Sequence, residues 1–374
     1  MESNAWSLSM KSPSSIEIRR CRPLLGTFVE ITVSLCPPDR TWPIAAECAA
    51  LQTFRECGLR APTREAFGVR RIPSLSEGST FGRMSTLGQS RSVGTAGDVV
   101  RDEMSLQNAV NAAFVAIERI QSLMSVHDPA SELSLVNREA AKRPVTVSRE
   151  LFTVLRRAHR LARQSAGAFD YTVAPLLARW GLRPSWLKRR RAGNWRHVSL
   201  LQGRRVRFLR PLALDLGGIA KGYAVDVAIK TLQRHGVKSA IVNAGGDLRV
   251  FGRPSVAIHL RHPSSPRLLS GRLDISDAAL ATSSPCFTLS RQHGRRISHL
   301  VNSHARNAIT NRISVSVRAP DCWLADALTK VVLNAPPTVA KTLLARHSAE
   351  AIILSGVTER GCGGWRGPAA ADCK

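Results

Sequence analysis

The sequence is poor in acidic residues. Its 374 residues include 27 Asp and Glu against 54 Lys and Arg, which gives a formal net charge of +27. An excess of this size favours anionic partners such as nucleic acid, acidic lipid or a phosphorylated ligand. A genome biased toward arginine would equally scatter basic residues over solvated surfaces, and here they occur along the whole chain. The net charge therefore favours the class of anionic partners but does not identify a particular partner.

Cysteine pairs of the CxxC type are absent, although the chain has eight cysteines. Their spacing argues against a zinc ribbon and a thioredoxin-type redox site, and is typical of reduced, unpaired thiols. No run approaches the roughly 18 apolar residues that a membrane span needs. The N-terminal segment also lacks an apolar core of signal-peptide length. We therefore expect a soluble, cytoplasmic protein without a membrane span.

Aromatic residues are also scarce, at 5%, but 44% of the chain is hydrophobic, enough to bury a sizeable core. Strand-like stretches at 26–35 and 312–319 are interspersed with helical patterns. One such pattern covers 106–123, another begins at Ser148, a plausible N-cap, and a third ends with the His-Gly pair at 235–236.

Residues 238–252 have the pattern of two short strands around a Gly-Gly turn. The elements lack the strict strand–helix–strand rhythm of a doubly wound sheet. We therefore predict the α+β class, with mixed sheets flanked by helices.

One long segment breaks this pattern. Between residues 36 and 100, Pro, Gly, Ser, Thr and Arg dominate and apolar periodicity is mostly lost. This composition predicts a disordered or poorly packed insertion within a domain spanning 18–355. Residues 356–374 show no packing pattern, and we expect an unstructured tail.

The segment LDLGGIAKGYAVD (214–226) runs from an apolar strand through paired glycines into a helical pattern. Gly217 and Gly218 allow main-chain N–H groups to approach a ligand, and the helix N-terminus attracts anions. Lys221 adds a mobile cation. The segment matches neither the Walker A loop nor the dinucleotide-binding fingerprint. It predicts a phosphate site, or otherwise a tight strand-to-helix turn with the lysine in solvent.

Several further segments, in the same order along the chain, resemble the ApbE family of FAD:protein FMN transferases. They are RPLLGTFVEITV (22–33), MSVHDPASELSLVN (124–137), SAGAFDYTVAPLLARWG (165–181), VNAGGDLRVFG (242–252), ALATSS (279–284), SHLVN (298–302) and SVSVRAPDCWLADAL (314–328). With the glycine segment they cover most of residues 18–335. Their order over that length makes the resemblance specific.

The resemblance implies a reaction on FAD. FMN passes from FAD to a Thr or Ser hydroxyl of an acceptor flavoprotein, and AMP leaves. Phosphoryl transfer relies on positioning and charge neutralisation, for which Mg²⁺ is a usual ion. By resemblance, Mg²⁺ would lie between the carbonyl of Gly218 and the side chain of Asp326. The threonine expected four residues later is Lys330, whose ammonium would either repel Mg²⁺ or replace part of its charge.

The resemblance also implies the residues that bind the flavin and perform the transfer. His299 in SHLVN would act as general base, since a histidine near neutral pKa can accept the hydroxyl proton. The residues expected to contact FAD are Leu25, His127, Ala168, Phe169, Asp170, Asp215, Lys221 and Val301. His127 stands where the family has an aromatic ring, and Asn302 where it has an aspartate.

Two alternatives remain open. A weakened relative would bind or hydrolyse FAD without transferring FMN. The basic and Trp-containing stretch at 187–210 would suit a polynucleotide, but no nucleic-acid-binding signature accompanies it. We therefore expect a surface loop there and no nucleic-acid partner.

Overall fold

Helices and strands mix irregularly along the chain in the computed structural model, which describes residues 6–8, 17–34, 42–43, 96–252, 255–292, 294–355 and 359–362. The α-helices are α1 (Ala96–Met124), α2 (Glu132–Glu139), α3 (Arg149–Gln164), α4 (Ala174–Arg179), α5 (Ala220–Arg234), α6 (Cys322–Asn334) and α7 (Pro337–Arg346). The strands are β1 (Trp6–Leu8), β2 (Glu17–Leu24), β3 (Thr27–Ser34), β4 (Trp42–Pro43), β5 (Val145–Thr146), β6 (Val198–Leu201), β7 (Arg205–Phe208), β8 (Ser239–Ala244), β9 (Asp247–Phe251), β10 (Val256–His262), β11 (Ser265–Ile275), β12 (Ala279–Ser283), β13 (Ser290–Gln292), β14 (Arg295–Ile297), β15 (Val301–Asn302), β16 (Asn307–Ala308), β17 (Ile313–Ala319), β18 (Glu350–Ser355) and β19 (Glu359–Cys362). The predicted α+β class is confirmed.

Among the described residues, nine strands form one antiparallel sheet in the order β1-β2-β3-β8-β9-β12-β17-β18-β19. Its central hairpin, β8–β9, turns through Gly245 and Gly246, whose φ angles of 63° and 99° lie in the left-handed region. Asn243 Oδ1 accepts a hydrogen bond from the Gly246 N–H at 2.9 Å and closes this turn. The two short strands predicted around a Gly-Gly turn are thus confirmed.

The large sheet is covered on both faces. Alternate residues such as Val242 and Val317 belong to the main core, in which α1, α3, α5 and α6 pack. The intervening positions, such as Ile241 and Leu280, belong to a second core with the β10–β11 hairpin. Because side chains alternate along a strand, one sheet builds both cores. Because the sheet separates the helical layer from the hairpin, a ligand site that contacts both layers has to lie at an end or an edge of the sheet.

Helix ends follow their sequence signals. Ser148 Oγ accepts the Leu151 N–H at 3.2 Å and caps α3, and Leu151 is fully buried. Helix α5 ends at Arg234, with His235 as its C-cap, followed by Gly236 with φ 78°, a position that favours glycine. Both predicted helix boundaries are confirmed.

The insertion predicted at 36–100 lies largely outside the described residues. Of it, Trp42–Pro43 forms a strand parallel to β10, and α1 already begins at Ala96. In the tail, Glu359–Cys362 pairs with β18, whereas the composition predicts an unstructured segment. Without this strand, the main-chain groups on the outer edge of β18 would lack hydrogen-bond partners, and Glu359–Cys362 supplies them. The remaining tail residues lie outside the described part.

Two further expectations concern thiols and membranes. Cys21, Cys286 and Cys322, the cysteines whose side chains the structure describes, are all free thiols. Within the described ranges, none of the helices is both long and apolar enough to cross a membrane.

Candidate active site

A cavity of about 660 Å³ lies where the helical layer, the sheet and the β10 strand meet. This volume is in the range of small-molecule sites. Ten of the predicted site residues line the cavity, and Asp326 does not. The ten are Leu25, His127, Ala168, Phe169, Asp170, Asp215, Gly218, Lys221, His299 and Val301.

The glycine segment forms one wall. Asn137 fixes its entry, because its amide donates to the Leu214 carbonyl at 3.0 Å and accepts the Leu214 N–H at 2.7 Å. Asp215 Oδ1 then accepts the Gly217 N–H at 2.7 Å, and α5 begins at Ala220. The N-terminal end of α5 therefore faces the cavity, and its main-chain dipole favours an anion there.

Glycine is required at the base of this wall. A Cβ on Gly222 would lie 2.3 Å from the main-chain oxygen of Cys322, so the close approach of α5 and α6 at this point requires glycine. Gly222 also donates its N–H to Asp326 Oδ2 at 3.3 Å. The close approach brings the predicted metal ligand on α6 to within one hydrogen bond of α5.

A second wall contains His299, Arg183 and Asp215. Arg183 forms an ion pair with Asp215, and their side chains are 12% and 5% exposed. The Arg183 Nη1 group also lies 3.3 Å from His299 Nδ1. Since a guanidinium only donates, Nδ1 is the acceptor in this contact, and the neutral ring carries its hydrogen on Nε2. Sequence reasoning missed Arg183, although it follows the matching segment 165–181 by two positions.

The electrostatics of this wall favour a neutral histidine beside a charged carboxylate. Burial lowers the pKa of His299 below its ordinary value, and Arg183, His127 and Lys221 lower it further, whereas Asp215 acts in the opposite direction. Burial would raise the pKa of Asp215, but Arg183 and the Gly217 N–H outweigh it and hold that pKa down. Burial, followed by Arg183, also lowers the pKa of His127. His299 is therefore an unprotonated base at neutral pH.

The third wall is a cluster of two lysines and two buried carboxylates. Lys221 Nζ lies 3.0 Å from Asp247 Oδ2, and Lys330 Nζ forms an ion pair with Asp326 Oδ1. Lys330 Nζ also donates to the main-chain oxygen of Asp326 at 3.0 Å. Both lysines line the cavity, whereas Asp326 is fully buried behind Lys330. The Lys330–Asp326 pair has the i,i+4 spacing of one helix face.

The pKa values of the two carboxylates in this cluster are shifted in opposite directions. Burial, then repulsion from Asp326, raises the pKa of Asp247, although both lysines oppose this. Burial would raise the pKa of Asp326, but Lys221 and Lys330 outweigh it and lower that pKa. Burial alone would lower the pKa of Lys221, but Asp247 and Asp326 raise it well above its ordinary value. Lys221 is therefore a fixed positive charge at the cavity wall.

The remaining predicted flavin contacts form the apolar side and the rim. Phe169 is 3% exposed and packs near Gly218, and Leu25 lies at the β2–β3 turn, where its N–H donates to Gln121 Oε1 at 2.6 Å. The Val301 carbonyl already accepts a hydrogen bond from Asn334 at 3.2 Å.

Asp170 and Asn302 are engaged within the chain. Asp170 pairs with Arg306 at 2.6 Å, and its other oxygen accepts from the Thr172 N–H and hydroxyl. Asn302, where the resemblance implies an aspartate, closes a turn by accepting the N–H groups of His304 and Ala305. A ligand would therefore meet Asp170 as half of an ion pair.

The fit to Mg²⁺ is poor. Mg²⁺ needs oxygen ligands with little competing positive charge. The Asp326 carboxylate holds an ammonium instead, and a Cβ on Gly218 would lie 3.3 Å from Lys330 Cε. Lys330 thus lies between the two predicted metal ligands. In the described ranges, no group of three His, Cys, Asp or Glu side chains is arranged to hold a metal ion.

Comparison with known proteins gives a consistent result. The model of the ApbE family matches residues 89–353. A protein of Vibrio cholerae named FAD:protein FMN transferase is 32% identical over 246 residues, which cover 61% of this chain and 73% of the relative. One of the same name from Chlamydia pneumoniae is 28% identical, with 63% and 77% covered.

Solved structures show the same fold. The flavin transferase ApbE from Vibrio cholerae aligns with a TM-score of 0.63 at 22% identity, covering 93% of this chain and 97% of that one. The ApbE protein of Thermotoga maritima gives 0.63 at 19% identity, with 96% and 97% covered. The resemblance seen in the sequence is confirmed, and the chain belongs to the ApbE family.

Proposed function

We propose that this chain, through its domain at 18–355, is an FAD:protein FMN transferase. It would move FMN from FAD to a Thr or Ser hydroxyl of an acceptor flavoprotein and release AMP. The observation that carries the proposal is that ten residues chosen from separate segments line one cavity of about 660 Å³. The relatives named FAD:protein FMN transferase support the same reaction.

In this mechanism the helix N-terminus at Ala220 and the Lys221 ammonium bind the diphosphate, and Phe169 contributes an apolar surface for the flavin. The acceptor hydroxyl attacks the phosphorus of the FMN half. A new phosphorus–oxygen ester bond forms, the bond to the bridging oxygen breaks, and AMP leaves with that oxygen. The hydroxyl proton passes to His299.

His299 needs a free lone pair for this role. Its Nδ1 is the unprotonated nitrogen, and Arg183 contacts it at the long distance of 3.3 Å. A weak contact of this length is readily exchanged for a charge-assisted bond to a phosphate oxygen. We therefore assign Arg183 two roles: it binds the phosphate, and by doing so it releases Nδ1 to accept the proton.

The Mg²⁺ dependence expected from the resemblance stays a prediction, and no step above requires it. When bound to a pyrophosphate, Mg²⁺ supplies neutralising charge. The residues that would hold it here are Gly218 and Asp326, and Lys330 pairs with Asp326 and fills the space where a Cβ on Gly218 would lie.

The test uses the full chain, FAD and the unmodified form of a flavoprotein domain whose mature form carries FMN on a threonine, with and without Mg²⁺. Mass spectrometry should show the FMN adduct on that threonine, with release of an equal amount of AMP. His299→Ala should lose the adduct while retaining FAD binding. AMP and free FMN without adduct would instead establish the hydrolytic alternative, and no AMP at all would exclude both.

The nucleic-acid alternative receives no support. In the basic stretch Arg196 lies over the Trp195 ring and His159 makes a T-shaped contact with it, and Arg190 lies over Trp186 just before the stretch. A base would have to displace these arginines to stack on the ring faces that they cover.

A further inference from the structure

We infer that the ammonium of Lys330 is the built-in cation of this site and neutralises the FAD diphosphate in place of a divalent metal ion. The inference rests on the proposed function, because it assumes that FAD occupies the cavity. Lys330 lines this cavity, and its side chain is 18% exposed, whereas that of Asp326 behind it is 0% exposed. The carboxylate thus contacts the lysine, and the lysine faces the ligand.

The hydrogen bonds of Lys330 leave one donor for a ligand. An ammonium has three N–H donors and no acceptor. One points to Asp326 Oδ1 and another to the Asp326 main-chain oxygen at 3.0 Å. Because both partners lie on the helix side, the third donor is the one available to the cavity. A charge-assisted bond to a phosphate oxygen would satisfy it.

The surrounding charges disfavour an additional metal ion. Lys221 is the second ammonium of the cluster and is paired with Asp247 at 3.0 Å. A divalent ion bound to Asp326 would have to displace Lys330 Nζ and would remain close to two positive side chains. Coulomb repulsion at such distances is strong in a partly buried site. By contrast, a diphosphate adds negative charge beside both lysines and needs no displacement.

In the transfer reaction Lys330 exchanges no proton and forms no bond. Its positive charge offsets the charge that develops on the bridging oxygen as AMP leaves. A metal ion would do the same, but it would be lost on chelation. The lysine is part of the chain, so this enzyme should bind FAD equally well with and without free divalent ions.

The experiment measures FAD affinity by quenching of flavin fluorescence, first with EDTA and then with excess Mg²⁺. For the wild-type chain we expect the same affinity in both. Lys330→Thr should bind FAD about tenfold more weakly in EDTA, as expected for the loss of one charge-assisted hydrogen bond. Mg²⁺ should restore its affinity, because Asp326 is then free. Lys341→Thr, which removes an exposed lysine from α7, is the charge-matched control and should behave as wild type.

A second measurement follows free Mn²⁺ by electron paramagnetic resonance in the presence of FAD. The wild type should leave the Mn²⁺ signal unchanged, and Lys330→Thr should reduce it. Lys330→Arg keeps the charge and should bind FAD in EDTA, which guards against a threonine variant that fails to fold.

The outcomes separate the two proposals. Mg²⁺-dependent FAD binding by the wild type, or Mn²⁺ uptake by it, would overturn the role of Lys330 and leave the transferase proposal standing. Metal-independent FAD binding without an FMN adduct on any acceptor would overturn the transferase proposal and leave the role of Lys330 standing. If neither the wild-type chain nor Lys330→Thr binds FAD, with EDTA or with Mg²⁺, both proposals fail.

Discussion

Replacing Asp226 with alanine should weaken the junction that positions the candidate site. Asp226 lies on α5, is 2% exposed, and accepts the main-chain N–H groups of Cys322 at 3.0 Å and Trp323 at 2.9 Å. These N–H groups begin α6, whose own N-cap residue, Asp321, makes no side-chain cap bond. Arg249 Nη1 also donates to Asp226 at 2.5 Å. One carboxylate on α5 thus caps α6 and anchors β9.

The magnitude follows from the groups that the substitution would leave unpaired. Loss of an N-cap side chain costs about 1 kcal/mol, and removal of one partner from a buried ion pair costs about 3–5 kcal/mol. The two costs overlap, because the same carboxylate makes all these bonds. We expect Asp226→Ala to lower the free energy of unfolding by about 3–5 kcal/mol, a large part of the usual total of about 5–15 kcal/mol.

The titration of the pair agrees with this origin of the cost. Burial raises the pKa of Asp226, which means that its charged form is not fully compensated for the loss of water. Burial alone would lower the pKa of Arg249, but Asp226 and Asp321 raise it. The pair therefore adds little net stability when intact, and the large effect arises when Arg249 loses its buried partner.

The assay is urea unfolding followed by circular dichroism. Asp226→Asn retains an oxygen acceptor and should lose less stability than Asp226→Ala. Asp321 is the outer partner of Arg249, at 2.7 Å, and its side chain is 38% exposed. Asp321→Ala should therefore lower the free energy of unfolding by less than about 1 kcal/mol. If Asp226→Ala is no more destabilised than Asp321→Ala, then Asp226 does not hold α6 and the reasoning fails.

Local signals in the sequence predicted the elements well. The cap at Ser148, the glycine turn at 245–246 and the alternating strand at 312–319 each depend on residues close together in the chain. Local rules of this kind need no knowledge of the fold. The resemblance then brought distant segments to one site, which periodicity alone could not have done.

The partners of the site residues were not predictable in the same way. Arg183 meets Asp215 and His299, and Lys221 meets Asp247, only because the sheet and α5 bring separate segments together. No local rule links residues so far apart in sequence.

The Lys330–Asp326 pair is different, because its two residues are four positions apart on one helix. Oppositely charged side chains at this i,i+4 spacing face each other and pair. The spacing alone therefore indicates that the Lys330 ammonium pairs with the carboxylate that the resemblance assigns to the metal ion.

Two further predictions concern the backbone and the base of the site. Gly222→Ala should destabilise the chain strongly, since the new Cβ would lie 2.3 Å from the Cys322 main-chain oxygen, whereas Gly271→Ala, with no atom within 4 Å of the new Cβ, should leave the thermal midpoint nearly unchanged. The pH–rate profile should rise through the pKa of His299, which lies below its ordinary value, because only the neutral ring accepts the hydroxyl proton. Arg183 lowers that pKa, so Arg183→Met should raise it, reduce the neutral fraction at a given pH, and move the acidic limb to higher pH. Arg183→Lys retains the charge and should move the limb less. A limb that stays in place in Arg183→Met would show that another group sets the acidic limb, and would remove His299 from the role of base.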